Sequence, residues 1–132
     1  KTKNIYFNFN INTNKQKRQE CYSQIRTLKQ NIPWNRTKPY KGYLTELKSH
    51  KYAICPEGNG LDTHRFWECL YMDVIPICKR NTLVEYYSKY FPIVILDNWP
   101  ELDLVKIDRQ YSGLKIDHRY LDLQHVKYLL TK

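Results

Sequence analysis

Arg65 and Glu68 stand one helical turn apart, shortly after a Gly58-Asn59-Gly60 loop. The planar fork of an arginine binds phosphate oxygens in pairs. A glutamate three residues on can accept hydrogen bonds from ribose hydroxyls. His64 precedes the arginine directly. Loop amides at a helix N-terminus form a natural anion site. Together, Gly58, Asn59, Gly60, His64, Arg65 and Glu68 outline a site for a nucleoside diphosphate, with or without an attached sugar. On a helical wheel His64, Arg65 and Glu68 fall within an arc of about 100°. Phe66 and Leu70 fall on the opposite side, so neither charged residue is expected to support the core. The plainer reading is a surface helix with an Arg65–Glu68 pair worth about 0.2–0.5 kcal/mol. The glycine-bearing loop and the elements around it favour the ligand site.

Those elements follow from apolar patterning. Lys51-Tyr52-Ala53-Ile54-Cys55 and Val74-Ile75-Pro76-Ile77-Cys78 flank the motif and predict strands over 51–55 and 74–78, with a helix over 63–72 between them. Ile5, Phe7, Phe9 and Ile11 alternate with other residues and predict a strand over 5–11. Asn12-Thr13-Asn14 is a turn supplying a helix N-cap. An amphipathic helix over 15–29 then points Cys21, Ile25 and Leu28 inward. A short helix runs from Tyr43 to His50, a further helix spans 82–90 and a further strand spans 92–97. Pro100 suits a first helical turn. The remainder is expected to be helical with a break near Gly113 and a final helix packed through Leu121, Leu123, Val126, Leu129 and Leu130. Strands alternating with helices predict an α/β, Rossmann-like parallel sheet of at least four strands flanked by helices. Such sheets bind ligands at the carboxyl ends of their strands, where the 56–62 loop leaves.

Composition narrows the function classes. The chain has 132 residues, 42% of them apolar, which suits a single domain over 1–132 with its own core. No apolar run is long enough to span a membrane, and no secretory pattern opens the chain. It starts at Lys1-Thr2-Lys3 without a methionine, so a piece of something longer is expected. The net charge of +9 attracts phosphorylated ligands or polyanions. The cations are dispersed, as in Lys15, Lys17 and Arg18 or Lys79 and Arg80, which favours a solvated basic surface over a nucleic-acid interface. Cys21, Cys55, Cys69 and Cys78 show no Cys-x-x-Cys spacing and lie in apolar settings, so free buried thiols are expected. That setting favours the cytoplasm, with the Golgi lumen open if an anchor has been removed. His50, His64, His118 and His125 lack metal-ligand spacing. Asn35-Arg36-Thr37 is a glycosylation triplet of the kind that arises by chance. No Gly-Lys-Ser/Thr follows the loop, and no third glycine completes a dinucleotide fingerprint, which disfavours P-loop, nicotinamide and flavin chemistry.

The run Ile54-Cys55-Pro56-Glu57-Gly58-Asn59-Gly60-Leu61-Asp62-Thr63-His64-Arg65-Phe66-Trp67-Glu68-Cys69-Leu70, followed by Val74-Ile75-Pro76-Ile77, resembles the donor-site signature of exostosin-like glycosyltransferases. Pro92 to Trp99 resembles the strand and tryptophan that come next in that family. The resemblance covers about residues 50–105. It implies the C-terminal, donor-binding half of a GT-B enzyme, in which two Rossmann-like domains face each other across the site. It implies a nucleotide diphosphate sugar as substrate, a glycan or protein acceptor, and no bound metal or other cofactor. The chain holds no Asp-x-Asp motif. Carried over, Arg65 contacts the donor diphosphate, Glu68 the ribose, and Gly58 and Asn59 lie close to the donor. The acceptor site and any general base belong to an N-terminal domain, in the same or a partner chain. The isolated chain is therefore expected to bind donor without turning it over. Tyr40 and Tyr43 are candidates to stack on the base. The alternative is a non-catalytic binding or interaction module of Rossmann-like fold, such as one that binds nucleic acid.

Overall fold

The computed structural model describes residues 1–58 and 64–131. Four strands, β1 (Lys3–Tyr6), β2 (His50–Ile54), β3 (Ile75–Lys79) and β4 (Val94–Leu96), form one sheet in the order β1-β2-β3-β4. Every neighbouring pair is parallel. Ile5 lies beside Tyr52 and Tyr52 beside Ile75, while Tyr6 lies beside Ala53 and Ala53 beside Pro76. Side chains alternate across a strand, so this register sorts the core into two layers. Ile5, Tyr52, Ile54, Ile75, Ile77 and Val94 face one layer. Tyr6, Ala53, Cys55 and Cys78 face the other. A strand buried on both faces must be apolar at nearly every position, and Tyr52 to Cys55 are all buried.

The helices divide accordingly. α1 (Lys15–Arg26) and α5 (Leu104–Tyr111) cover the first layer through Cys21, Ile25 and Ile107. α2 (Tyr40–Lys48), α3 (His64–Tyr71), α4 (Thr82–Tyr87) and α6 (His118–Thr131) cover the second through Leu47, Phe66, Leu70, Val84 and Leu121. All four cysteines are buried free thiols, with Cys55 Sγ 3.5 Å from Cys69 Sγ. No helix among the described residues is long and apolar enough to cross a membrane.

Several element boundaries differ from the sequence reading. The strand expected over 5–11 ends at Tyr6. Beyond it the Phe7 carbonyl accepts the Asn35 N–H at 2.7 Å, and the Phe7 N–H donates to Asn35 Oδ1 at 2.9 Å. Asn8 Nδ2 donates to the Asn35 carbonyl and to Thr37 Oγ1. The alternation survives without the strand, since Phe7 and Phe9 still join Ile5 in one layer. The glycosylation triplet thus serves an internal seam. α1 stops at Arg26 rather than 29, capped by Thr27. α2 starts at Tyr40 rather than 43 because the Pro39 carbonyl already accepts the Tyr43 N–H at 2.8 Å. His50 belongs to β2, beside Lys3.

The C-terminal stretch departs most. Pro100 sits in a short 3-10 turn, Trp99–Glu101, whose Trp99 is buried. α5 follows, and Gly113 at φ 88° breaks the chain before α6, a conformation open to glycine at little cost. On α6 the leucine stripe does not pack. Leu121 is 0% exposed, but Leu123, Val126 and Leu129 are exposed and Leu130 is 81% exposed. The inward stripe is Leu121 and Gln124, both buried, with His125 and Tyr128 half-buried beside them at helical spacing. It forms because α3 presents Trp67 and Tyr71. The His125 ring stacks on Trp67 with centroids 4.6 Å apart, and its Nδ1 lies 3.0 Å from the Tyr71 hydroxyl. Tyr128 packs against Trp67 as well.

His50 makes stability sensitive to acid. It is buried and its Nδ1 lies 2.7 Å from the Glu46 carbonyl, which fixes Nδ1 as the donor. Burial pushes its pKa down. The unfolded chain, with the ordinary histidine value near about 6.5, then binds the proton more readily than the fold. Stability is complete above that value and declines as pH falls below it. Urea titrations from pH 7.5 to 5 should show that decline, and His50→Gln should flatten it. Lys3 and Lys38 hold the Glu46 carboxyl below the usual range, so its contribution is lost only in more acidic solution. An unchanged slope in His50→Gln would assign the decline to other groups.

Candidate functional site at the carboxyl ends of the strands

The loop leaving β2 is held by α1. Asn14 begins that helix at φ 69°, and its side chain makes no cap. Its Nδ2 instead donates to the Gly58 carbonyl at 3.0 Å. Arg18 Nε donates to the Glu57 carbonyl at 3.0 Å, and Lys17 pairs with the Glu57 carboxylate. Gly58 is therefore buried and fixed against α1. Asn59 and Gly60, expected to touch the donor, lie outside the described residues.

α3 opens at His64, on the far side of that loop. His64 is exposed and pairs neither with Glu68 nor with another described residue. Arg65 turns inward, which corrects the expectation that it plays no part in supporting the fold. Its Nη1 donates to the Asn8 carbonyl at 2.6 Å and its Nε to the Tyr43 hydroxyl at 2.6 Å. The guanidinium lies over the Tyr6 and Tyr43 rings, 5.2 and 5.0 Å from their centroids. These rings draw it in because their faces attract a cation. Burial opposes the Arg65 charge, yet the net direction of its pKa is upward, so it stays a cation.

Arg65 and Glu68 do not pair directly. The Tyr43 hydroxyl stands between them, accepting from Arg65 and donating to Glu68 Oε1 at 2.8 Å. Burial pushes the Tyr43 hydroxyl pKa up, so it remains a donor despite the neighbouring arginine. Tyr40 donates to Glu68 Oε2 at 3.1 Å and is 63% exposed. Tyr43 thus positions both Arg65 and Glu68 through its hydroxyl.

Arg18 was not singled out from the sequence. It is 7% exposed, and its Nη1 donates to the Asn10 carbonyl at 2.8 Å. The signal was present: Arg18, Cys21 and Ile25 share the inward stripe of α1, and a charge on such a stripe is out of place. Arg18 and Arg65 come from different helices and converge on the Asn8–Asn10 segment. Neither forms an ion pair with a carboxylate among the described residues.

No family model matches this chain. No curated protein matches it either. The site's chemistry therefore stands on the geometry. A separate cleft of about 250 Å³ is lined by Gln16, Lys17, Glu20, Glu57, Lys79 and Trp99 among others, with Arg18, Arg65 and Glu68 outside its described lining. It lies at the carboxyl ends of β2, β3 and β4, where parallel sheets take ligands. Its charges are mostly satisfied: Lys79 pairs with Glu20, and Arg80 with Asp97 and Glu85. No group of three His, Cys, Asp or Glu among the described residues is placed to hold a metal.

Proposed function

We propose that this domain binds the nucleotide diphosphate sugar donor of an exostosin-like, GT-B glycosyltransferase. The carrying observation is Arg65: a largely enclosed guanidinium at the carboxyl end of a parallel sheet, without a carboxylate partner among the described residues. A charge withdrawn from water needs a counter-charge, and a ligand phosphate supplies it. The resemblance over residues 50–105 supports the same assignment. In the reaction, the bond from the anomeric carbon to the phosphate oxygen breaks and a bond to the acceptor oxygen forms. Arg65 stabilises the charge growing on the departing diphosphate. Glu68 receives the ribose hydroxyls, which displace the exposed Tyr40 hydroxyl. The acceptor and the base that takes its proton belong to the other half of such an enzyme.

Calorimetry with uridine and guanosine diphosphates tests this reading and reports the base preference. Glu68→Gln should weaken binding of ribonucleoside diphosphates about tenfold, a charge-assisted hydrogen bond being worth about 1.5 kcal/mol or more. Inorganic pyrophosphate should bind the variant as it binds the wild type. Equal nucleotide affinities in the two proteins would reduce Glu68 to an anchor for tyrosines. Binding of oligonucleotides with steep salt dependence, in place of nucleoside diphosphates, would identify a nucleic-acid module.

A further inference from the structure

We infer that Arg18 is a second phosphate-binding residue, so that the site grips two successive phosphoryl groups, one on each arginine. This rests on the anionic-ligand reading above and extends it to a residue outside the resembling stretch. Arg18 and Arg65 are two enclosed cations that should repel each other, and burial together with Arg65 pulls the Arg18 pKa down. Bringing two guanidinium groups together without a carboxylate is unfavourable unless an anion joins them.

The anchoring of the two groups is similar. Each uses Nε and Nη1 on fixed oxygens: Glu57 and Asn10 carbonyls for Arg18, the Tyr43 hydroxyl and Asn8 carbonyl for Arg65. Neither Nη2 has a partner among the described residues. No buried side-chain nitrogen or oxygen there lacks a hydrogen bond, so both Nη2 groups reach accessible space. The Asn8 and Asn10 anchors are two residues apart, within about 7 Å along the chain. Two guanidinium groups anchored on such closely spaced carbonyls suit a diphosphate better than a single phosphate.

The test compares pyrophosphate with phosphate, and nucleoside diphosphate with monophosphate, on wild type and Arg18→Gln. The glutamine amide can still donate to one of the two carbonyls. Wild type should prefer the diphosphate member of each pair. In Arg18→Gln that preference should fall about tenfold or more, with monophosphate binding within about threefold of wild type. Equal losses for both members of a pair would make Arg18 purely structural and overturn the inference. If Arg18→Gln fails to fold, phenylglyoxal labelling of wild type, read peptide by peptide, decides instead. Pyrophosphate should protect the Arg18 and Arg65 peptides together, and phosphate should protect Arg18 poorly. An Arg18 that reacts equally with and without pyrophosphate, or never reacts, would also overturn it. Pyrophosphate binding without any nucleotide binding would remove the donor assignment and leave the role of Arg18 standing. No pyrophosphate binding would remove both.

Discussion

Arg65→Ala should lower both nucleoside diphosphate affinity and melting temperature. The affinity loss should be about ten- to a hundredfold, from a charge-assisted contact worth about 1.5–3 kcal/mol. The stability loss should be about 1–3 kcal/mol, because the Asn8 carbonyl and Tyr43 hydroxyl lose their donor. That is several degrees in melting temperature for a domain of this size. The wheel reading, with Arg65 on the face opposite Phe66, predicts no such destabilisation. Tyr43→Phe separates the two effects. It removes the hydroxyl that orients Arg65 but keeps the ring under the guanidinium. It should lower stability modestly and leave most of the affinity. Wild-type affinity in Arg65→Ala would show that the arginine holds the fold and no phosphate.

Leu121→Ala should cost about 2–5 kcal/mol, the range for a buried leucine truncated to leave a cavity. Leu121 is the fully buried leucine by which α6 joins the layer of Phe66 and Leu70. Leu130→Ala should change stability by less than about 0.5 kcal/mol, because its side chain is mostly in water. Chemical denaturation of both variants measures the contrast. Comparable losses would mean that the exposed leucines of α6 are covered in the protein in solution.

The sheet was legible because buried parallel strands leave a strong pattern. Tyr52 to Cys55 and Val74 to Cys78 are short apolar runs bounded by turn residues, and each overlaps the strand formed there. The placing of Gly58, Arg65 and Glu68 beside the end of β2 was legible for the same reason: spacing along a strand and helix is local. The extent of β1 was not. Phe7 and Phe9 have the right alternation, but Asn35, distant in sequence, takes the hydrogen bonds that β2 would have offered.

Sequence alone determined the α/β class, the parallel order of alternating elements, the inward thiols and the candidate motif. These depend on periodicity and on short-range geometry. Tertiary structure decided which way Arg65 points, that Arg18 joins it, and which face of α6 is buried. A helical wheel ranks side chains by their own polarity, whereas the fold ranks them by the partners available. Tyr6, Tyr43 and the Asn8 carbonyl together make an interior that a guanidinium can enter. Trp67 and Tyr71 make a surface that suits a histidine and a tyrosine better than a row of leucines. Such partners come from segments far apart in the chain, so no local pattern records them.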